Sequence, residues 1–229
     1  MDYKTNPIQH DGRGNLGRTS IFARDLPEAW FLCLKACLEF GYDYTIDRGS
    51  NKGQKRKELD ATELLIAYPG ARPLVPDTPP GIPSPTTQEY VEGYLSYLMT
   101  GNKGEREQYT YGEDLEKQIP EIIKMYKEDG YNTNQACMAV GNSDSIILKD
   151  PQCLRLIDTR IRYGKLHFFV YFRSWDLFGG LPANLAAIQI MKEYIASEIG
   201  VEDGDLIAYS KGLHLYDHYW EIAESIVRR

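Results

Sequence analysis

The chain contains no apolar run near the roughly 18–20 residues that cross a bilayer, so no membrane partner is expected. Its first residues, MDYKTNPIQHDGRG, lack the apolar stretch of a secretory signal, which makes the cytoplasm the expected compartment. Positive charge is short as well. The 26 Lys and Arg against 33 Asp and Glu leave a net charge of -7, which argues against a general nucleic-acid binder. A few placed Arg residues can still hold a small anion. Only four Cys occur, Cys33, Cys37, Cys137 and Cys153, with no C-x-x-C pair and no secreted framework. Free thiols in a reducing compartment fit best. His214 and His218 lack acidic or Cys neighbours at metal-ligand spacing, so no metal is expected. There are no internal repeats.

A chain of 229 residues can bury a sizeable core. Residues 1–25 are polar and Gly-rich and read as an N-terminal loop extension. GRGNLG (Gly12, Gly14, Gly17) matches a dinucleotide fingerprint only formally, because no strand precedes it. Residues 27–40 carry helical apolar spacing at Trp30, Leu34, Cys37 and Leu38, with Cys33 and Cys37 as small core residues. DRGSNKGQKRKELD is basic and Gly-containing, and reads either as a solvated hairpin or as a phosphate-holding loop. Residues 61–68 read as a strand, and PGARPLVPDTPPGIPSP as an irregular, Pro-punctuated connection. Helices are expected over 87–100, 113–129, 182–199 and 219–227, and strands over 136–142, 153–162, 165–173 and 205–216. Helix and strand mix without strict alternation. The expected fold is therefore α+β, one domain over 1–229 with a large mixed or antiparallel sheet flanked by helices.

One stretch asks for an explanation. LHFFVYFRSWDLFGGLPANLA, residues 166–186, starts as a strand fit for a core. It then delivers Arg173, Ser174 and Asp176, turns on glycines, and enters a helix near Asn184. The bland readings are a local Arg173–Asp176 ion pair and Asn184 as an N-cap. Cys153 lies twenty residues before Arg173, and its bland reading is a buried strand Cys.

These residues together resemble the thymidylate synthase family. FRSWDLFGGLPANLA is similar to that family's strand-to-helix signature, and the Cys153–Arg173 spacing is the family's. VEDGDLIAYSKGLHLYDH resembles its later strand, and the early helix, DRGS and strand resemble its opening segments. The resemblance implies a homodimer that methylates dUMP to dTMP with a one-carbon unit on a reduced pterin or folate. A uracil ring accepts no electrophile at C5 until a thiolate has added to C6, and the resemblance gives that nucleophile to Cys153. It gives phosphate binding to Arg48, Arg173 and Ser174, since a guanidinium fork suits a phosphate. Asp176 would accept from the donor edge of the pterin. Asn184 would read uracil, accepting from N3–H and donating to O4. His214 and Tyr216, two apart on a strand, would bind the ribose 3′-hydroxyl.

The departures are equally specific. Leu154 follows the Cys where the family usually has His. The family's paired Arg, which reaches the partner subunit's phosphate, falls on Asn134 and Gln135, with Arg160 or Arg162 as candidate replacements. No Glu stands cleanly in register with the family's catalytic Glu, Glu92 being nearest, and the Trp residues expected around YTYGEDL are missing. The chain runs only thirteen residues past Tyr216, short of the family's long cofactor-closing segment. This shortened form resembles the archaeal-type branch, for which the carrier is either 5,10-methylenetetrahydrofolate or 5,10-methylenetetrahydromethanopterin. A pyrimidine-nucleotide 5-hydroxymethylase of the same family remains open, because missing Trp residues and tail would admit water. So does a non-catalytic nucleotide-binding protein.

Overall fold

Among the described residues, seven strands form one mixed sheet and four form a second. The computed structural model of the chain describes residues 6–8, 15–104 and 108–228. In chain order the elements are β1 (Asn6–Ile8), β2 (Arg18–Ala23), α1 (Leu26–Phe40), β3 (Tyr42–Thr45), β4 (Lys55–Leu59) and β5 (Ala61–Ile66). Then come α2 (Gln88–Met99), α3 (Gly112–Glu128), β6 (Cys137–Ala139), β7 (Leu154–Arg162), β8 (Lys165–Phe172) and β9 (Trp175–Asp176). The chain continues through α4 (Gly180–Ile199), β10 (Glu202–Ser210), β11 (Leu213–Tyr216) and α5 (Trp220–Val227). The large sheet runs β1-β2-β5-β10-β8-β7-β6, and the small one β3-β4-β11-β9. The expected α+β class holds.

Local chemistry explains the elements that carry the core. Asp25 accepts from the Glu28 N–H at 3.0 Å and caps α1, with Pro27 in the first turn. Trp30, Cys33, Leu34 and Cys37 then fall on one buried face. In β8, Leu166, Phe168, Val170 and Phe172 alternate into the core at 0% exposure. The residues between them lie half-buried on the other face. Helix α4 crosses that core and buries even Gln189 and Lys192, the latter held by the Gly204 and Asp205 carbonyls and by Asp203 at 3.2 Å. Such a lysine needs every proton satisfied, because a buried unpaired ammonium is costly. Gly200, at φ 86°, ends α4 in the left-handed conformation that favours glycine.

Three sequence expectations need correction. The region 1–25 is not all loop, since β2 lies inside the sheet, parallel to β5, with Ile21 and Ala23 in the core. Period-2 alternation over six residues is too short to stand out among polar neighbours. Gly12 and Gly14 lie outside the described residues, while Gly17 donates its N–H to Asp60 at 2.9 Å. The basic loop contains β4, which pairs with β3 and β11, so its hairpin is structured at the base. The expected strand 205–216 is two strands in two different sheets. Ser210 ends the first, and Lys211 and Gly212 carry the chain across.

Gly112 opens α3 against the end of α2, where an added Cβ would overlap the Thr100 backbone. Gly112→Ala should therefore lower stability by about 1–3 kcal/mol, the usual cost of forced overpacking. Urea unfolding measures it, and an unchanged midpoint would mean that the junction has room.

Candidate active site

The site forms where two strands leave the large sheet side by side. Strand β8 passes through Arg173 and Ser174 into β9, and β10 passes through Lys211 and Gly212 into β11. The pairs are parallel in both sheets, Ser210 facing Phe172 in one and Leu213 facing Trp175 in the other. The Trp175 N–H bonds to the Gly212 carbonyl at 2.9 Å across the gap. On the other side β7 is bulged between Leu154 and Leu156, and the Arg173 N–H reaches the Cys153 carbonyl at 2.9 Å. A bulge at this point re-aims side chains out of the ladder.

Arg173 folds back over residues 151–153. Its Nε donates to the Gln152 carbonyl at 3.0 Å and its Nη2 to the Pro151 carbonyl, and Nη2 lies 3.7 Å from Cys153 Sγ. Among the described residues no partner takes the two Nη1 protons. Burial pushes the Cys153 thiol up, and the Arg173 guanidinium pulls it back down without cancelling the rise. The free protein thus holds Cys153 as a thiol with a cation beside it. Leu154, next to it, is fully buried and packs in the core.

The DRGS loop meets the same segment. Ser50 donates its N–H and Oγ–H to Asp150, at 3.0 and 2.6 Å, and holds that carboxyl below its usual range. Gly49 has φ 93°, and a Cβ there would press on Asp150, so glycine is required twice over. Arg48 is exposed and donates to the Leu148 carbonyl at 3.2 Å. Asn51 donates to Tyr216 Oη at 2.9 Å. Arg48, Cys153, Arg173 and Tyr216 therefore surround one loop junction, with half-buried Ser174 beside Arg173.

His214 and Tyr216 share a face, with their rings edge to face at 5.0 Å. Gly212 O can only accept, so His214 Nδ1 carries the proton and donates to it at 3.0 Å. Nε2 is then a buried acceptor without a partner among the described residues. Burial, then the Arg56 charge, lowers the His214 pKa to about 4. A neutral, unpartnered imidazole acceptor suits a hydroxyl ligand. His218 stacks on Tyr216, and among the described residues no three His, Cys, Asp or Glu side chains form a metal-binding group.

The bland readings of Asp176 and Asn184 both fail. Arg173 and Asp176 do not pair with each other. Asp176 accepts from the N–H groups of Phe178, Gly179 and Gly180 at 3.3, 3.2 and 2.8 Å, ordering the turn into α4. Burial nevertheless raises its pKa. Asn184 is no N-cap, because α4 begins at Gly180, two residues earlier than expected. Its Oδ1 accepts from Trp175 Nε1 at 2.9 Å and its Nδ2 donates to Tyr94 Oη at 2.8 Å. Asp176, Asn184, Tyr90, Tyr94, Pro85 and Thr86 line a cavity of about 470 Å³.

Two compensations do not occur within one chain. Glu92 is exposed and bonds to Gln88, so α2 turns Tyr94 rather than a carboxylate toward the site. Arg160 lies seven residues along β7 from Cys153, about 23 Å at strand rise, and bonds to Asn134, while Arg162 bonds to Asn132. Neither reaches Cys153 of its own chain.

Sequence reasoning missed a tyrosine wall. Tyr90, Tyr94 and Tyr97 recur on one face of α2, and Tyr97 packs on Tyr111 at 5.2 Å and on Tyr109 at 6.5 Å. Tyr111 Oη accepts from the Leu154 N–H at 3.3 Å, beside the thiol. The i, i+4, i+7 spacing was visible but reads equally as packing. Arg56 was also missed. Its guanidinium is held by Tyr44 and by Glu58 at 2.9 Å, and its charge is felt by Cys153, His214 and Tyr216.

The fold is α+β with a Cys–Arg pair at a sheet crossover, and comparison with known proteins gives the family. The family model described as thymidylate synthase matches residues 100–229. A Methanosarcina acetivorans protein is 30% identical over 214 residues, covering 91% of this chain and 94% of its own. A Methanosarcina mazei protein is 29% identical over 224 residues, covering 95% and 98%, and one from Methanothermobacter thermautotrophicus is 25% identical over 145 residues, covering 61% and 65%. All three carry the name "Putative thymidylate synthase". The chain belongs to the thymidylate synthase family.

His214 yields a pH test. With a folded pKa of about 4 against about 6.5 unfolded, the unfolded chain takes up a proton that the native site refuses. Its contribution to stability is therefore complete above pH 6.5 and is lost toward pH 4, by about 3 kcal/mol. NMR titration of the imidazole should find it neutral at pH 5, and protonation near pH 6.5 would contradict the buried acceptor.

Proposed function

We propose that the chain is a cytoplasmic, homodimeric thymidylate synthase that converts dUMP to dTMP through a covalent bond between Cys153 and C6 of uracil. One domain over residues 1–229 carries the activity. The observation that carries this reading is the Arg173 guanidinium 3.7 Å from the Cys153 sulfur. The nucleotide phosphate is held by the free Nη1 of Arg173, by Arg48 and by Ser174. His214 Nε2 accepts from the sugar hydroxyl, with Tyr216 beside it. Asn184 reads the base.

The thiol loses its proton as sulfur adds to C6, and Arg173 stabilises the thiolate on the way. The electrons pushed into C5 make it the nucleophile. The reduced pterin or folate, when bound, supplies the methylene carbon and the hydride that completes the methyl group. The cavity beside Asp176 and Asn184 fits its flat ring. Tyr90 and Tyr94 stack at 6.3 Å on one side, and the Asp176 carboxylate has four acceptor positions with three in use. Half-exposed Phe169 and Tyr171 with Tyr209 on the outer sheet face support a second copy packed there. Four unpaired thiols support a reducing compartment.

A 5-fluoro analogue of dUMP with carrier should be trapped on Cys153, since fluorine cannot leave C5 as a proton does. Intact-protein mass spectrometry without an adduct, or with one on Cys137, overturns the assignment. Product analysis of dUMP with each carrier separates methylation from hydroxymethylation.

Phosphate binding should lean on Arg48. Arg48→Ala should weaken dUMP binding by about 1.5–3 kcal/mol, the range for a charged hydrogen bond. Calorimetry that finds unchanged affinity would leave the DRGS loop a solvated hairpin tip.

A further inference from the structure

The partners of Asn184 hold more than a position. An indole N–H can only donate. Because Trp175 Nε1 donates to Asn184 Oδ1 at 2.9 Å, the carboxamide has one orientation, with its NH2 toward Tyr94. Trp175 cannot swing away to release it. It is 2% exposed, its ring stacks on Phe172 with centroids 4.1 Å apart and planes 6° apart, and its backbone N–H is tied to the Gly212 carbonyl.

The constraint passes on to Tyr94. Its oxygen accepts from Asn184 Nδ2 at 2.8 Å, so its own proton must go elsewhere. Among the described residues no acceptor takes that proton. The ring is fixed by stacking on Tyr90 and by contact with Tyr97 at 5.2 Å, and Tyr94 lines the cavity that Asn184 and Asp176 also line. Burial raises the phenol pKa well above its usual value, so the proton stays on. The result is a neutral donor of fixed direction, ordered by two hydrogen bonds behind it.

We propose that Tyr94 is a specificity-determining residue which presents this hydroxyl proton to the C4 carbonyl of the pyrimidine, its direction set by the relay from Trp175 through Asn184. The proposal deepens the reading of the site as a dUMP site and rests on it. Uracil has an acceptor at C4. Cytosine has an amino group there, which would meet the Tyr94 proton donor to donor. Reversing the relay to suit cytosine would turn the Asn184 NH2 against the Trp175 N–H, leaving two buried donors unpaired. The tryptophan is thus the fixed end that keeps a rotatable hydroxyl and a flippable amide from adapting to the wrong base. Asn184 alone, free to flip, offers either face. With Trp175 and Tyr94 it offers one.

The test is Tyr94→Phe in the full chain, which keeps the ring and removes the hydroxyl. Equilibrium binding of dUMP and dCMP is measured without carrier, and tritium release from C5 of each with carrier, beside a thermal melt. The variant should melt near wild type. Its dUMP affinity should fall about 5- to 150-fold, the range for one unpaired buried partner, while dCMP binding holds or improves. The preference for dUMP then narrows by that factor. An unchanged preference, an equal loss for both nucleotides, or a loss confined to the carrier would overturn the proposal and leave Tyr94 as packing or as part of the pterin wall. Wild-type protein that binds neither nucleotide would overturn the dUMP reading and this inference together. Wild-type preference surviving in Tyr94→Phe overturns this inference alone.

Discussion

The hydrogen bond from the Arg173 N–H to the Cys153 carbonyl is the constraint on which the site depends. It is the last link between β7 and β8 before β8 leaves the large sheet. It pins the loop that ends in Cys153 to the residue that starts the crossover. With the backbone closed there, the Arg173 side chain folds onto the carbonyls of residues 151 and 152 and brings its charge to the thiol. A cation held by neutral carbonyls keeps its charge for the thiol and a ligand, where a carboxylate partner would have cancelled it. That is why the absence of an Arg173–Asp176 pair matters chemically.

The second sheet gives the crossover somewhere to go. Strands β8 and β10, parallel neighbours in the core, become β9 and β11, parallel neighbours in the small sheet. Strand β9 has a ladder partner on one side only, and backbone and side-chain groups there must find others. Trp175 finds Gly212 and Asn184, and Asp176 finds the turn into α4. His214 Nε2 stays a buried acceptor without a partner among the described residues. The small sheet also brings Arg56 and Glu58 opposite Tyr216 and His214, which is how a basic loop far along the chain comes to tune the site.

The site is aromatic where the family's tryptophans are missing. Tyr97, Tyr109 and Tyr111 pack together beside the thiol, and Tyr94 continues the wall to Asn184. Phenols fill space as indoles do and add hydroxyls that can be ordered by neighbours. The wall therefore joins the two ends of the site, the Cys153 thiol and the Asn184 amide, by contact.

The sequence by itself determined the parts that depend on local pattern. The alternation of β8, the helical faces of α1 and α4, and the Cys153–Arg173–Asp176–Asn184 signature could all be read from spacing, because periodicity and short motifs are local properties. Tertiary structure decided the rest. The strand over 205–216 splits only because two sheets compete for it, and β2 becomes a strand only because β5 lies beside it. Asn184 is no cap because α4 starts at Gly180, and Trp175 and Tyr94, nine and ninety positions away, meet its amide instead. Glu92 is exposed while Tyr94 meets Asn184, and the packing of Val91 and Leu98 into the core fixes that rotation of α2 about its axis. A hydrogen bond between distant residues leaves no period in the sequence, and so its direction becomes legible only once the chain has folded.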